Sequence, residues 1–470
     1  MSAPESRLRF VTGLVISGAA AAFWLAFGLA NGPTEYDDTP AYLRLADALQ
    51  HLHIVTSART PGYPLLLIAG RALTAVSGMD FLRSVLVLQV VLLSGVTTYL
   101  VYDLGFRLSR RIAVGALAAL LVAADADLQN FTGYLLSESL TVTLAVLALW
   151  LRLRDDGWRR AGWVLAYLAL TRPNYVLLPF VFAALTLVRV RRLSPALQAA
   201  WPTAAVLAAW WLVVFAGGGD PFRPQKWFVP MHAFGKVYEQ DLWMKLPDGP
   251  ERRLLAEERA RGRDPYHARE ALERLAGPGS AWHLTRAAIR ADRLAYVGVC
   301  ASTVRRAFRQ ASFLHPAHPR ARWLRSVGAW RAVYRGALYA SFPFFLLLLA
   351  GACANGLGWP DSREAFRWVL MPFTAVVLLT TAVASMGYWD VGRLSLGFHP
   401  VNAVLWALLV VRVCDWLWSA AGGAVQRQPP GACIGPSRTP VPTQAEHRFR
   451  SNTLSGRRQP GPGTPSDHQS

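Results

Sequence analysis

The chain has 470 residues, of which 53% are apolar and only 17% are charged. Soluble domains carry roughly 25% charged residues, and here the apolar residues come in runs of about 20 that hold almost no charge, as in membrane-spanning helices. This excludes a soluble enzyme, a nucleic-acid-binding module, a secreted disulfide scaffold and a β-barrel, whose strands would alternate. The formal charge of +20 is mainly arginine, which multi-span proteins carry at their cytoplasmic flanks.

The apolar runs predict an all-α, multi-pass membrane protein with about ten spans. The first runs from Phe10 to Ala30, and it is an anchor rather than a cleaved signal because no small-residue cleavage site follows it. The others are predicted at 82–104, 112–127, 138–153, 161–171, 175–190, 199–217, 336–357, 368–387 and 398–418.

Three arginine-rich turns, at 107–111, 152–160 and 189–192, set the predicted orientation, because short loops rich in arginine stay in the cytoplasm. Both termini are then cytoplasmic in an inner (plasma) membrane. The apolar segment 61–78 would reverse every later span if it crossed. We therefore interpret it as a re-entrant or surface-lying helix on the outer face.

Four regions follow from this orientation. We predict an N-terminal transmembrane catalytic module at 1–217 with a first outer loop at 31–81, an extracytoplasmic helical loop at 218–335, and C-terminal spans at 336–418. Residues 419–470 are predicted to be a disordered cytoplasmic tail, since 15 of these 52 residues are proline or glycine and few are apolar.

Charged residues gather at the predicted outer ends of the spans. Asp37 and Asp38 precede an amphipathic helix that is predicted to begin at Pro40, the favoured place for proline, and to lie in the headgroup plane. Arg172 follows the fifth predicted span and Arg393 precedes the last one. The positive-inside rule gives no reason for arginine there, and ionisable residues at membrane depth default to function. Taken alone, Asp38 is better explained as a helix cap and Asp37 as a solvated loop charge.

An ordered series of short motifs carries a family resemblance. It consists of Asp38-Thr39-Pro40-Ala41-Tyr42-Leu43, Arg59-Thr60-Pro61-Gly62-Tyr63-Pro64-Leu65, Ser137-Glu138-Ser139-Leu140 and Leu170-Thr171-Arg172-Pro173. The series resembles the multi-span GT-C glycosyltransferases, nearest to the protein-mannosyltransferase-like and aminoarabinose-transferase-like group. It covers roughly residues 8–195, and more weakly 285–300 and 388–400.

The resemblance implies a GT-C fold and a hexosyl- or pentosyltransferase that uses a sugar carried on polyprenyl phosphate. It implies that Asp38, in a D-x-x-x-Y setting, is the essential first-loop acid, with its neighbour Asp37 left open. It also implies that Glu138 is the acid that opens the fourth span and that Arg393 is the late basic group. Leu394 follows Arg393, where the family usually has tyrosine.

Sugar transfer from a lipid phosphate requires a general base near the acceptor hydroxyl and cations for the departing phosphate. Our hypothesis is one inverting displacement with Asp38 as the base and Glu138 orienting the acceptor or holding a cation. We predict that Arg393, Arg172 and Arg59 bind the donor phosphate, and that Tyr42 and Tyr63 contact the sugar or acceptor. No cofactor is required, a divalent cation is compatible, and the sequence predicts no metal-ligand cluster.

The predicted partners are a polyprenyl-phosphate sugar donor, membrane lipids and a glycan, lipid or protein acceptor, without nucleic acid. The long outer loop supports an anionic donor, because residues 217–334 hold 21 basic and 11 acidic residues. Within it, 282–308 is predicted to be one helix that lies on anionic headgroups or caps the spans. His315 and His318 are interpreted as loop residues rather than metal ligands.

Three alternatives remain open at this point. An O-antigen ligase or polymerase would use arginine and histidine of the outer loop instead of the first-loop acids. A lipid-linked-glycan transporter would show repeats and polar groups near the midplane of the membrane. A non-catalytic scaffold would tolerate alanine at the same carboxylates.

Overall fold

The structure of the protein is a computed structural model. The structure describes residues 3–36, 38–51, 53, 59–154, 157–221, 223–307, 342–359, 362–387 and 396–425. Within these ranges the secondary structure is helical without strands, apart from one isolated parallel β-bridge between Thr34 and Tyr134. Residues 1–417 form one compact unit, and a second unit begins at Trp418.

Eleven helices precede the long outer loop in the described residues. They are α1 (Ala3–Asn31), α2 (Thr39–Gln50), α3 (Gly62–Ser77), α4 (Phe81–Val90), α5 (Thr98–Ser109), α6 (Ile112–Ala123), α7 (Ala126–Gln129), α8 (Glu138–Arg152), α9 (Trp158–Thr171), α10 (Leu177–Val190) and α11 (Leu193–Ala216). A π-helical segment, Val91–Thr97, joins α4 to α5.

The described remainder contains nine more helices. The outer loop holds α12 (Arg223–Glu239), α13 (Pro250–Ala260), α14 (Pro265–Ala276), α15 (Ser280–Ala291) and α16 (Arg293–Ala307), and the last part holds α17 (Phe342–Asn355), α18 (Ser362–Ala365), α19 (Met371–Gly387) and α20 (His399–Val425).

Six helical stretches in the described residues are long and apolar enough to cross a membrane. They are Pro4–Asn31, Phe81–Ser109, Pro173–Val190, Leu193–Ala216, Ser362–Ser385 and Leu396–Ser419. A seventh is formed if the pair Ile112–Ala123 and Ala126–Gly133, which is bent by 53°, counts as one span. The prediction of a multi-pass, all-α membrane protein is therefore confirmed.

The other three predicted spans coincide with helices shorter than the roughly 20 residues that a straight crossing needs. They are α8 with 15 residues, α9 with 14 and the described part of the 336–357 segment, α17, also with 14. All but two residues of α8 are buried. Other helices surround it, so its apolar sequence reflects burial in protein.

The segment at 61–78 forms a short helix, as predicted. α3 has 16 residues, ends at Gly78 in the left-handed conformation with φ of 70°, and is not among the stretches long enough to span. In α2, Tyr42, Leu45 and Ala46 are buried while Asp47 is exposed, which confirms the predicted amphipathic pattern. This helix begins at Thr39, one residue before the predicted start.

The long loop that begins at residue 218 builds a small core of its own, in which Phe234, Tyr238, Trp243 and Leu272 are buried. The prediction of one continuous helix over 282–308 is wrong, because Asp292 interrupts it with a non-helical backbone (φ −146°, ψ 79°). The Asp292 carboxylate accepts a hydrogen bond of 2.9 Å from the Ala295 backbone N–H, so the aspartate starts a second helix.

At the other end of the chain, α20 continues to Val425, past Ser419, where the predicted tail begins. Residues 426–470 of that tail lie outside the described residues.

Candidate functional site

The site is built at one end of the helix bundle, where α8 begins and α9 ends; we call this the site end. Glu138 is the first residue of α8, where the helix dipole favours a carboxylate. Arg172 follows α9 with an extended backbone and forms an ion pair with Glu138. Their side chains are only 1% and 10% exposed. The Arg172 Nε also donates a 3.3 Å hydrogen bond to the Ser137 hydroxyl.

A second ion pair, between Asp38 and Arg59, joins the start of α2 to the turn before α3. Asp38 precedes the first residue of α2, but its side chain makes no capping hydrogen bond, contrary to one of the sequence-based explanations. Its carboxylate instead accepts from the Arg59 guanidinium. The two side chains are 18% and 21% exposed, so this pair is more open than the pair of Glu138 and Arg172.

Two tyrosines connect the ion pairs. The Arg59 guanidinium carbon lies 5.3 Å from the centroid of the Tyr42 ring, and the rings of Tyr42 and Tyr63 pack edge to face with centroids 5.0 Å apart. The pKa of Tyr63 is raised well above its ordinary value, first by burial and then by the nearby Tyr42 and Glu138. Tyr63 thus packs against Tyr42 and lies within electrostatic range of Glu138. It is fully buried, with its hydroxyl 3.3 Å from the Gln89 side-chain oxygen, which suits it to positioning rather than to contact with a sugar.

A close backbone approach holds these elements together. A Cβ atom on Gly62 would lie 2.6 Å from the backbone N and Cα of Thr171, so only glycine fits there without a shift. The Tyr167 hydroxyl donates a 2.9 Å hydrogen bond to the Gly62 carbonyl. The turn that carries Arg59 is therefore fixed beside the end of α9, which precedes Arg172.

Asp125 and His399 make a further buried contact at the site end. Asp125 lies at the bend between α6 and α7, and one of its carboxylate oxygens accepts from the Leu128 backbone N–H at 3.1 Å. The other is 2.8 Å from Nδ1 of His399, the first residue of α20. Gly397, just before α20, lies against Tyr175, since a Cβ there would be 2.2 Å from the tyrosine oxygen. The start of α20 is thereby tied to the Arg172 turn.

The long loop that begins at residue 218 also reaches this region through α12. Burial lowers the pKa of His232 to about 4, with further lowering by Lys236 and Arg59 and an opposing effect of Asp38. Because Asp38 and Arg59 influence this imidazole, α12 lies within electrostatic range of the first outer loop. His232 is neutral at pH 7.

Six of the eight predicted site residues are brought together here: Asp38, Arg59, Tyr42, Tyr63, Glu138 and Arg172. The other two, Asp37 and Arg393, lie outside the described residues. Sequence reasoning gave no role to His399, which appears as a single histidine before Pro400. Nor did it give one to Gln89, a lone amide in an apolar run.

The described residues contain no group of three or more histidine, cysteine, aspartate or glutamate side chains that could hold a metal ion. Cys300, Cys353 and Cys414 are free thiols.

The sequence matches no protein-family profile and no curated protein. Among solved structures, the chain is similar to the oligosaccharyltransferase AglB of Archaeoglobus fulgidus in complex with an inhibitory peptide and a dolichol-phosphate, with 14% identity and a TM-score of 0.44 over 89% of this chain and 52% of that one. It is also similar to the apo form of the Archaeoglobus fulgidus oligosaccharyltransferase, with 15% identity and a TM-score of 0.43 over 89% and 53%.

A third similar structure is ArnT from Cupriavidus metallidurans bound to undecaprenyl phosphate, with 15% identity and a TM-score of 0.36 over 88% of this chain and 80% of that one. The chain spans about half the length of the two oligosaccharyltransferase chains.

Proposed function

We propose that the chain is an integral membrane glycosyltransferase. It moves a hexose or pentose from a polyprenyl-phosphate donor to a hydroxyl of a glycan, lipid or protein acceptor, with inversion at the anomeric carbon. The observation that carries the proposal is the set of two acid–arginine pairs, Asp38–Arg59 and Glu138–Arg172, connected through tyrosines at one end of a membrane helix bundle. A lipid-borne phosphate reaches this level, since its chain lies in the hydrocarbon core and its phosphate in the headgroup layer.

Asp38 is the proposed general base. Its side chain is 18% exposed, whereas that of Glu138 is 1% exposed, so an acceptor hydroxyl reaches Asp38 more easily. The acceptor oxygen bonds to the anomeric carbon as the bond from that carbon to the phosphate oxygen breaks. The hydroxyl proton passes to the Asp38 carboxylate, and polyprenyl phosphate leaves with the bonding electrons.

Arg59 and Arg172 are the proposed phosphate ligands, because a guanidinium fork matches phosphate oxygens in a bidentate fashion. Each arginine is paired with a carboxylate in the structure. When the donor binds, its phosphate therefore replaces the carboxylate as the anion that the arginine contacts. When the phosphate takes Arg59, Asp38 loses its cation and becomes a better base. Arg393 is the third proposed ligand, and Glu138 is proposed to orient the acceptor through Arg172.

We further propose that the site end faces outward in a bacterial inner membrane. The arginine-rich turns at 107–111 and 189–192 stand where α5 and α10 end, away from the site end of the bundle. Positive charge in short loops favours the cytoplasm. Both chain termini would then be cytoplasmic.

The test is sugar transfer in purified membranes supplied with a panel of polyprenyl-phosphate sugars. We expect one donor to be consumed with release of polyprenyl phosphate, and we expect Asp38→Asn to lower the rate by about 10²- to 10³-fold. Asp47→Asn is the matched control, since Asp47 lies on α2, the helix that Asp38 precedes, is exposed and pairs with Arg71. An unchanged rate in Asp38→Asn would overturn the assignment of the base.

A lipid-linked-glycan ligase or polymerase is the second candidate, because His232 of the outer loop lies within electrostatic range of Asp38. It predicts that His232→Ala abolishes transfer while Asp38→Asn retains much of it. A transporter would instead move the donor with its sugar–phosphate bond intact. Analysis of the lipid product in the same assay therefore separates the transporter from both enzymes, and the His232 and Asp38 variants separate the two enzymes from each other.

A further inference from the structure

A second polar site lies at the end of the bundle opposite the site end. Arg152 is the last residue of α8, whereas Glu138 is the first, so the two are about 21 Å apart along the helix. Arg152 lines a cavity of about 30 Å³ with Trp158, Thr186, Arg189 and Trp368. Leu185 and Val369 complete the lining.

The Arg152 side chain is built for an anion. The residue is only 7% exposed, and its guanidinium carbon lies 3.4 Å from the centroid of the Trp158 ring. Nη2 donates a 3.2 Å hydrogen bond to the Thr186 hydroxyl. Nε and Nη1 have no hydrogen-bond partner in the described part of the chain. A buried charge with two nitrogens that donate no hydrogen bond is costly unless a ligand supplies acceptors.

Arg189 adds a second positive charge to the same cavity. Its side chain is 43% exposed and lies 3.4 Å from the Glu364 carboxylate, so it is only loosely paired and reaches the open side. Its guanidinium carbon is 5.9 Å from the Trp368 ring centroid. Among the described residues, the charged side chains that line the cavity are Arg152 and Arg189, and Arg189 contacts the exposed Glu364 carboxylate.

We propose that this cavity binds a phosphate oxyanion, supplied by the headgroup of an anionic phospholipid. The cavity lies at the ends of two helices long enough to span, those that carry Arg189 and Trp368. Basic pockets between membrane helices at this level bind anionic headgroups, and tryptophan is enriched at the same depth. A volume of about 30 Å³ admits a phosphate oxygen, with the rest of the headgroup outside near Arg189.

The test is native mass spectrometry of the detergent-solubilised chain with phosphatidylglycerol or with phosphatidylcholine of the same acyl chains. We expect selective retention of phosphatidylglycerol, reduced about tenfold in Arg189→Gln and in Arg152→Met. Arg189→Gln changes an exposed side chain and keeps the test valid if Arg152→Met does not fold. Arg160→Gln is the matched control, because Arg160 is exposed near the same turn and does not line the cavity.

A second arm separates a lipid headgroup from free phosphate. Inorganic phosphate is added without lipid, and the thermal midpoint of unfolding is measured for the same variants. Stabilisation by phosphate that requires Arg189, without lipid selectivity, would keep the oxyanion site but assign a soluble ligand. Equal binding of both lipids, together with no effect of phosphate, overturns the proposal. Phosphatidylglycerol retention that Arg189→Gln leaves unchanged also overturns the proposal.

Discussion

Glu138 and Arg172 form a buried ion pair across the adjacent ends of two neighbouring helices, α8 and α9. The pair joins two consecutive helices, of 15 and 14 residues, that are each shorter than a straight membrane crossing needs. Burial removes both charges from water, and each is then stabilised mainly by the other.

Removing one charge of this pair should cost more than removing both. We expect Glu138→Gln to lower the free energy of unfolding by about 3 kcal/mol, because Arg172 is left buried without its counter-ion. The double variant Glu138→Gln, Arg172→Gln should recover part of that loss. The free energy of unfolding is measured in mixed micelles for Glu138→Gln, Arg172→Gln and the double variant. These values give the coupling free energy between the two ions. Additive losses would show that the ions do not depend on each other.

The contact of Gly62 with Thr171 makes a second prediction. Gly62→Ala places a methyl group against the Thr171 backbone and should destabilise the protein by about 1–3 kcal/mol. We also expect slower sugar transfer, since the turn that carries Arg59 must shift. Gly18→Ala is the control, because a Cβ on Gly18 meets nothing within 4 Å. Thermal midpoints and transfer rates check both effects, and equal midpoints for the two variants would contradict the predicted clash.

Asp103 provides a test at the end of the bundle opposite the site. Its buried carboxylate accepts hydrogen bonds from Arg9, from Arg107 at 2.5 Å and from Trp150 at 2.7 Å. Asp103→Asn should cost about 2–3 kcal/mol, since hydrogen bonds to a charged group are lost.

The control for Asp103 is Asp80→Asn, because Asp80 pairs with Arg83 at 3.2 Å where both side chains are more than half exposed. Exposed pairs contribute about 0–1 kcal/mol. Midpoints measured in parallel should drop for Asp103→Asn alone, and comparable drops would contradict the distinction between the two pairs.

Lys236 should make stability depend on pH. Its side chain is fully buried, its Nζ has no hydrogen-bond partner in the described residues, and burial lowers its pKa from 10.5 to about 8. Between those two values the unfolded chain binds more protons than the folded one, so stability should rise with pH from about 8 to 10.5.

Lys236→Met should therefore raise stability at pH 7 by about 2 kcal/mol and flatten that rise. Lys245→Met serves as the control, because Lys245 is exposed. Thermal midpoints across pH 7 to 10.5 measure both effects. A wild-type midpoint that falls steadily over this range, with no gain in Lys236→Met, would contradict the prediction.

Hydropathy alone predicts where the helices of this chain lie, because lipid and protein interiors both select apolar residues. It does not predict which helices are long enough to cross. In α8 the apolar residues are surrounded by protein, so a 15-residue helix gives the same sequence signal as a span. The break at Asp292 is not predicted for a different reason. The helical spacing of the arginines continues through Asp292, and the sequence pattern does not show that the Asp292 carboxylate caps the next helix.

The candidate site could be predicted in part. Asp38, Glu138 and Arg172 can be identified from the sequence because charged residues at the predicted outer ends of spans are unusual, and because these three lie in the motifs that carry the family resemblance. His399 and His232 were not, since single histidines carry no local signal. Their relation to the site comes from tertiary contacts, across 274 residues in the case of His399 and Asp125.

That long separation has a consequence for biogenesis. Asp125 emerges from the ribosome long before His399, so the aspartate lacks its imidazole partner until α20 has been made. The contact between Asp125 and His399 at this end of the bundle therefore forms only after α20 has been made. Versions truncated before α20 therefore lack the imidazole that contacts Asp125.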